Sequence, residues 1–128
     1  MPPRGQKLYI RPITPADLPE LLRLKSAPDL ALPSQGIVGK LVGDTVALAI
    51  FSITAASELQ IEEVFVEPRL RRKRVGRLMI AELEAMAARL DCEFLVVAHR
   101  CEAREFFCRV GFGESRSLLR KTVIRAGV

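Results

Sequence analysis

Six basic side chains fall between positions 69 and 77 of this 128-residue chain: Arg69, Arg71, Arg72, Lys73, Arg74 and Arg77, with no acid among them. They are six of twenty basic residues, and those remaining balance the fifteen acids to within one. The formal charge of +5 is therefore one local patch, and its fitting partner is a compact anion rather than a long polyanion that needs a whole basic face. A single charged loop without interleaved aromatic residues or a recognition helix argues against nucleic acid as that partner. The patch sits where a strand ending at Val66 passes Pro68 and gives way to an amphipathic helix opening near Gly76. First-turn N–H groups and the positive end of the helix dipole both favour an anion there. Cations at that end oppose the dipole by about 0.3–1 kcal/mol each, so such a cluster makes sense when an anion fills it.

Glu62 and Glu63 are the residues best suited to proton transfer. They lie in the strand Leu59–Val66, where alternation sends adjacent side chains to opposite faces. Cys92, Cys101 and Cys108 are odd in number and lack Cys-x-x-Cys spacing, and His99 is the lone histidine, so no metal site is expected. The cysteines read as small buried hydrophobes in a reducing compartment.

The elements that must position these residues follow from periodicity and turn chemistry. A strand over 7–11 precedes Thr14-Pro15-Ala16-Asp17, which has an N-cap threonine, proline at the first helical position and an acid at the third. That helix runs to about Lys25. Ile37–Val42 and Thr45–Ile53 form a hairpin about Gly43-Asp44, and Glu58–Val66 is a further strand. Val75, Leu78, Met79, Leu83, Met86 and Leu90 recur at three- and four-residue steps, predicting one buried helix face. Phe94–Ala98 is a continuous apolar strand, followed by a helix over about 102–110 that Gly111 ends, and a last strand over 118–124. The order β-α-β-β-β-α-β-α-β predicts an α/β fold, a mixed sheet with helices on both faces and a right-handed parallel crossover from Ile61 to Ala98. Length and composition fit one domain over 1–128. The N-terminus lacks the apolar core of a signal peptide and no run approaches the ~20 apolar residues of a membrane span, so a cytoplasmic protein without membrane attachment is expected.

Two stretches carry a resemblance. Val66-Glu67-Pro68-Arg69-Leu70-Arg71-Arg72-Lys73-Arg74-Val75-Gly76 is similar to the Val-x-Pro-x-x-Arg-Gly-x-Gly-Ile-Gly segment of GCN5-related N-acetyltransferases (GNAT), in register at Arg71 and Gly76. Ala103-Arg104-Glu105-Phe106-Phe107-Cys108-Arg109-Val110-Gly111-Phe112 is similar to that family's Ala-x-x-Phe-Tyr-x-x-x-Gly-Phe stretch except at the tyrosine. With the strand order, the resemblance covers nearly the whole chain.

The resemblance implies the acyl-CoA N-acyltransferase fold: a mostly antiparallel mixed sheet whose central parallel strands, ending at Val66 and Ala98, splay apart. It implies acetyl-CoA as acetyl donor, with backbone groups of Phe65 and Val66 on the pantetheine and the amides from Arg71 through Arg72, Lys73, Arg74, Val75 and Gly76 to Arg77 around the diphosphate. Arg72, Lys73 and Arg77 would reach the 3′-phosphate. Ile61-Glu62-Glu63-Val64-Phe65-Val66 looks like the Leu-Glu-Asp-Leu/Phe-Phe/Tyr-Val of polyamine acetyltransferases and points to Glu62 as the base, sharing a face with Gln60 and Val64, with Glu63 as second choice. The expected activity is acetyl transfer to a primary amine on a small molecule or protein.

Three positions depart from the family pattern. Arg74 replaces a glycine that lets the diphosphate approach, and its amide can donate if its φ is negative. Arg100 replaces an asparagine. Phe107 replaces the tyrosine that often protonates the leaving thiolate, leaving water or Cys108 for that step. These changes also suit a CoA-binding regulator without turnover. The short stretch between the first helix and the hairpin leaves the acceptor pocket either open or completed by a second subunit, as in a homodimer.

Overall fold

The computed structural model describes residues 8–25, 35–54, 56–71, 74–98, 104–115 and 118–123. It contains β1 (Tyr9–Pro12), α1 (Leu18–Lys25), β2 (Gly36–Leu41), β3 (Asp44–Ile53), β4 (Glu58–Val66), α2 (Val75–Arg89), β5 (Phe94–Ala98), α3 (Arg104–Arg109), β6 (Gly113–Ser115) and β7 (Leu118–Thr122). The strands form one mixed sheet in the order β1-β2-β3-β4-β5-β7-β6, with β4 and β5 parallel. The chain divides into two compact units, Met1–Ile50 with Glu63–Met79, and Phe51–Glu62 with Ile80–Val128.

In the first unit, β1 pairs antiparallel with β2 and β2 with β3. Val38 and Leu48 pack with Leu21 of α1, joined by Ile13, Leu24, Ile50 and Phe65. A Cβ on Gly39 would meet Met79 Sδ of α2 at 3.1 Å and Ala47 Cβ at 3.2 Å. Since neighbouring strand residues face opposite ways, α1 and α2 cover opposite faces of these strands. Gly39 is what lets α2 lie so close.

The start of α1 is a 3-10 turn, Pro15–Asp17, leading into the helix. Asp17, only 3% exposed, accepts hydrogen bonds from the Thr14 N–H at 2.8 Å and from Arg11 Nη1 and Nη2 at 2.8 and 2.6 Å. The Arg11 guanidinium and then the Thr14 N–H, working against burial, lower the Asp17 carboxyl to about 2. Glu20 accepts the Thr45 N–H at 3.1 Å and lies 3.8 Å from Lys40 Nζ, fixing α1 to the hairpin. That hairpin turns one residue earlier than its sequence suggests. Leu41 faces Asp44 directly, and Val42 (φ +51) and Gly43 (φ +83) make a two-residue loop of the left-handed kind that matches strand twist.

In the second unit, Glu58–Ile61 pair in parallel with Phe94–Val97, as a strand–helix–strand crossover requires, and β7 pairs antiparallel with both β5 and β6. Leu59, Leu95, Val96 and Leu119 are buried there. Lys121 Nζ donates to Glu84 Oε1 at 2.9 Å. At the end of α3 the Phe112 N–H reaches the Phe107 carbonyl at 3.0 Å and the Gly111 N–H the Cys108 carbonyl at 3.2 Å, with Gly111 at φ +107. This is a Schellman ending, and the Phe107 and Phe112 rings, 5.2 Å apart and edge-on, supply its hydrophobic contact.

Three expectations need correction. β6 makes seven strands where six were expected: Gly113-Glu114-Ser115 has no apolar alternation and is a strand only because β7 pairs with it. The buried face of α2 is Val75, Met79, Ile80, Leu83 and Ala87, whereas Leu78 and Leu90 are 47% and 52% exposed. Three-and-four spacing admits two neighbouring faces, and packing chose between them. Cys92 is buried as expected, but Cys108 is exposed and is not a packing residue. Lys7, His99, Arg100, Cys101 and Ile124 lie outside the described residues.

Candidate functional site

Just past the end of β4 the Glu67 N–H donates to the Val46 carbonyl at 2.8 Å, anchoring the strand before the chain leaves the sheet. Pro68–Leu70 then forms a 3-10 turn, closed by the Leu70 N–H on the Glu67 carbonyl at 2.8 Å and the Arg71 N–H on the Pro68 carbonyl at 3.3 Å. Two of the expected anion-binding side chains are used inside this turn. Arg69 Nε bonds Glu67 Oε1 at 2.6 Å. Arg71 folds back, its Nε donating to the Val66 carbonyl at 3.1 Å and its guanidinium lying 5.5 Å from the centre of the Phe65 ring. Phe65, Val66 and Arg71 are thus brought together, although the Arg71 amide is already committed to Pro68. Arg72 and Lys73 lie outside the described residues.

Arg74 has φ +68, so the condition for its amide to donate, a negative φ, is not met. Left-handed backbone costs a non-glycine residue about 1–2 kcal/mol. Its carbonyl accepts the Leu78 N–H at 3.0 Å, which begins α2. The first turn of α2 contains no acid, leaving the N–H groups of Val75, Gly76 and Arg77 at the positive end of a 15-residue helix dipole. Val75 is buried, Gly76 half-buried and Arg77 exposed. Among the described residues no hydrogen bond or ion pair engages the guanidinium of Arg74 or Arg77. Among the described residues, the positive charge displayed at this helix start belongs to these two.

Exposure alternates from Leu59 to Glu62 and fades beyond, for a reason that two hydrogen bonds reveal. The Thr54 N–H meets the Glu58 carbonyl at 2.9 Å, and the Glu67 N–H meets the Val46 carbonyl. Between those ties β3 advances eight residues and β4 nine, so β4 carries one extra residue, a β-bulge. Glu62 is exposed, and Ser52 Oγ donates to its Oε1 at 3.3 Å. Ser52 stands two residues from Ile50, and Ile50 and Phe65 pack on the same Leu21 cluster. Glu62 and Phe65 therefore share a side despite their odd separation, which places the extra residue between them. Simple alternation from Glu62 therefore does not extend to Phe65. Glu63 is half-buried. Ser52 went unnoticed in the sequence, where the signal was a hydroxyl interrupting the apolar run of β3.

Phe107, at 3% exposure, is committed to the end of α3, and Cys108 beside it is exposed. No group of His, Cys, Asp and Glu suited to a metal ion occurs among the described residues, and none of their helices is long and apolar enough to cross a membrane.

Residues 6–112 match the family model described as Acetyltransferase (GNAT) family. Curated protein sequences give no match. Among solved structures, Ard1 from Thermoplasma volcanium is 18% identical with a TM-score of 0.76, over 92% of this chain and 99% of that one. The ribosomal-protein-S18-alanine N-acetyltransferase from Escherichia coli is 16% identical with a TM-score of 0.73, over 94% and 97%. The PaiA N-acetyltransferase from Thermoplasma acidophilum, in complex with coenzyme A, is 13% identical with a TM-score of 0.74, over 91% and 99%.

Proposed function

Because the chain belongs to the Acetyltransferase (GNAT) family, we propose that it transfers the acetyl group of acetyl-CoA to a primary amine on a small molecule or protein. The observation that carries this reading is the start of α2, an acid-free helix terminus flanked by the cations of Arg74 and Arg77. Such a terminus suits a diphosphate: the amides of Val75, Gly76 and Arg77 are donors, and half-buried Gly76 presents no side chain to hold an anion off. The end of β4, with the Phe65 and Val66 backbone, is the seat for the pantetheine arm. Arg71, clasped to the Val66 carbonyl, holds the turn against that strand end.

When bound, acetyl-CoA supplies a thioester carbonyl that an amine can attack, the C–S bond breaking and CoA leaving as thiolate. Glu62 takes the ammonium proton so that the amine attacks as a free base, with Ser52 donating to the Glu62 carboxylate; Glu63 is second choice. Phe107 cannot protonate the thiolate, so water or the exposed Cys108 completes that step. The acceptor side is open or completed by a second copy of the chain.

Calorimetry with CoA tests the ligand, and acetyl transfer to a panel of amines tests the reaction. Glu62→Gln should keep CoA affinity while transfer falls about a hundredfold or more. Full rate in that variant moves the base to Glu63 or to a water-only path. The buried ring of Phe107 favours a second reading, a CoA-binding regulator, which tight acetyl-CoA binding without transfer to any amine would establish.

A further inference from the structure

Among the described residues the polar contact of the Glu62 carboxylate comes from Ser52 of β3, whose Oγ donates to Oε1 at 3.3 Å. The pairing of β3 with β4 explains this contact. The Thr54 N–H bonds the Glu58 carbonyl at 2.9 Å, and Thr54 Oγ1 accepts the Glu58 N–H at 3.3 Å, so the two strands are tied at that end. Counting inwards from the tie sets Ser52 opposite Gln60 and diagonal to Glu62, all on one side of the sheet. Ser52 is half-buried, while Gln60 and Glu62 are exposed. The serine hydroxyl goes to the carboxylate on the diagonal rather than to the neutral amide directly opposite, the choice expected of a donor offered a charged acceptor. All of these residues belong to the second compact unit. A half-buried place in the apolar run of β3 does not by itself call for a hydroxyl, and the carboxylate that it reaches supplies the reason.

An exposed glutamate is free to sample many rotamers, and a hydrogen bond on one oxygen narrows that set. It also divides the carboxylate, since Oε1 is occupied and Oε2 keeps its lone pairs for an incoming group. We propose that Ser52 is a positioning residue for acetyl transfer, holding Glu62 by Oε1 so that Oε2 receives the proton of the acceptor ammonium. The inference rests on the reading of Glu62 as the base and goes beyond it in assigning the group that orients that base. In the step itself an ammonium N–H bond breaks and an Oε2–H bond forms. The freed nitrogen lone pair attacks the thioester carbonyl, and Ser52 keeps its own proton throughout.

The test is steady-state kinetics of the full chain with acetyl-CoA and with spermidine, lysine and an alanine-initiated peptide as amines, alongside calorimetry with CoA. With the best of these amines Ser52→Ala should lose about tenfold in kcat, the lower end of what a hydrogen bond to a charged group supplies. The KM for acetyl-CoA, the CoA affinity and the melting temperature should stay near wild type. Ser52→Thr, which keeps a hydroxyl on a β-branched side chain suited to a strand, should recover most of the rate. Gln60→Ala, which alters the residue opposite, should leave the rate as it was. In a Glu62→Gln background the further change Ser52→Ala should cost less than about twofold, because the hydroxyl acts through the carboxylate. Full rate in Ser52→Ala, or a tenfold loss repeated in the Glu62→Gln background, overturns the inference while Glu62 stands as the base. A loss in Gln60→Ala as large as that in Ser52→Ala assigns both to strand pairing and overturns it too. Full rate in Glu62→Gln removes the base and the inference together, as does a wild type that acetylates none of the three amines.

Discussion

At the start of α1 the N–H of the capping residue Thr14 meets a carboxylate that the chain itself supplies, whereas the first turn of α2 contains no acid. Asp17 closes the first terminus, and Arg11 and Thr14 satisfy Asp17 in turn. The second carries Arg74 and Arg77, charges of the sign a helix start disfavours, and a left-handed arginine as well. A terminus satisfied from within serves the fold. One that lacks such a carboxylate, and is burdened further by like charge and strain, gains when an anion from outside completes it, and the diphosphate of the proposed donor is such an anion.

Giving α2 what α1 has is the sharpest way to test the contrast. Gly76→Glu brings a carboxylate into the first turn of α2, where it should raise stability by up to about 1 kcal/mol through helix propensity and the dipole. CoA affinity should nonetheless fall a hundredfold or more, about 2.7 kcal/mol, because the new charge repels the diphosphate. Unchanged calorimetric affinity would break the comparison. Taking from α1 what α2 lacks is the next largest effect. Asp17→Asn should cost about 2 kcal/mol in urea unfolding, leaving CoA binding as it was. The same contribution has a pH signature: because the folded carboxyl is lowered to about 2, the stability is fully present above the unfolded value near 4 and is lost as pH falls from about 4 to 2. Asp17→Asn should flatten the acid limb of wild-type stability over that window. The smallest effect belongs to Arg74→Gly, which should relieve the left-handed backbone and gain about 1 kcal/mol, a rise of some 3–5 °C in melting temperature. A loss of stability there would mean that the arginine is not strained.

Much of this was legible in the sequence because single residues carry it. Thr14-Pro15 and Asp17 announce α1, Gly111 ends α3, the apolar run of Phe94–Ala98 is β5, and the two motif stretches identify the family. What stayed hidden depends on relations between segments. Whether Leu78 or Ile80 faces inward was decided by packing, and Gly113–Ser115 became a strand through β7. The φ of Arg74 cannot be read from an arginine, since the sequence favours a residue with no left-handed preference. At the candidate site, the basic loop and the paired glutamates stood out by type and spacing. The engagement of Arg69 and Arg71, the exposure of Leu78 and the partnership of Ser52 with Glu62 are geometric facts that composition does not encode.

The extra residue in β4 makes length, as well as composition, a constraint on this stretch. Substitutions at Glu63 or Val64 change a side chain and leave the count between Glu62 and Phe65 intact. Loss of a single codon there would restore an even alternation, and would turn either Phe65 away from the Leu21 cluster or Glu62 away from Ser52 in one step. The gene can drift by substitution through these positions, but the reading frame of the strand, two faces counted out one residue at a time, cannot lose a beat without moving a residue the proposed reaction uses.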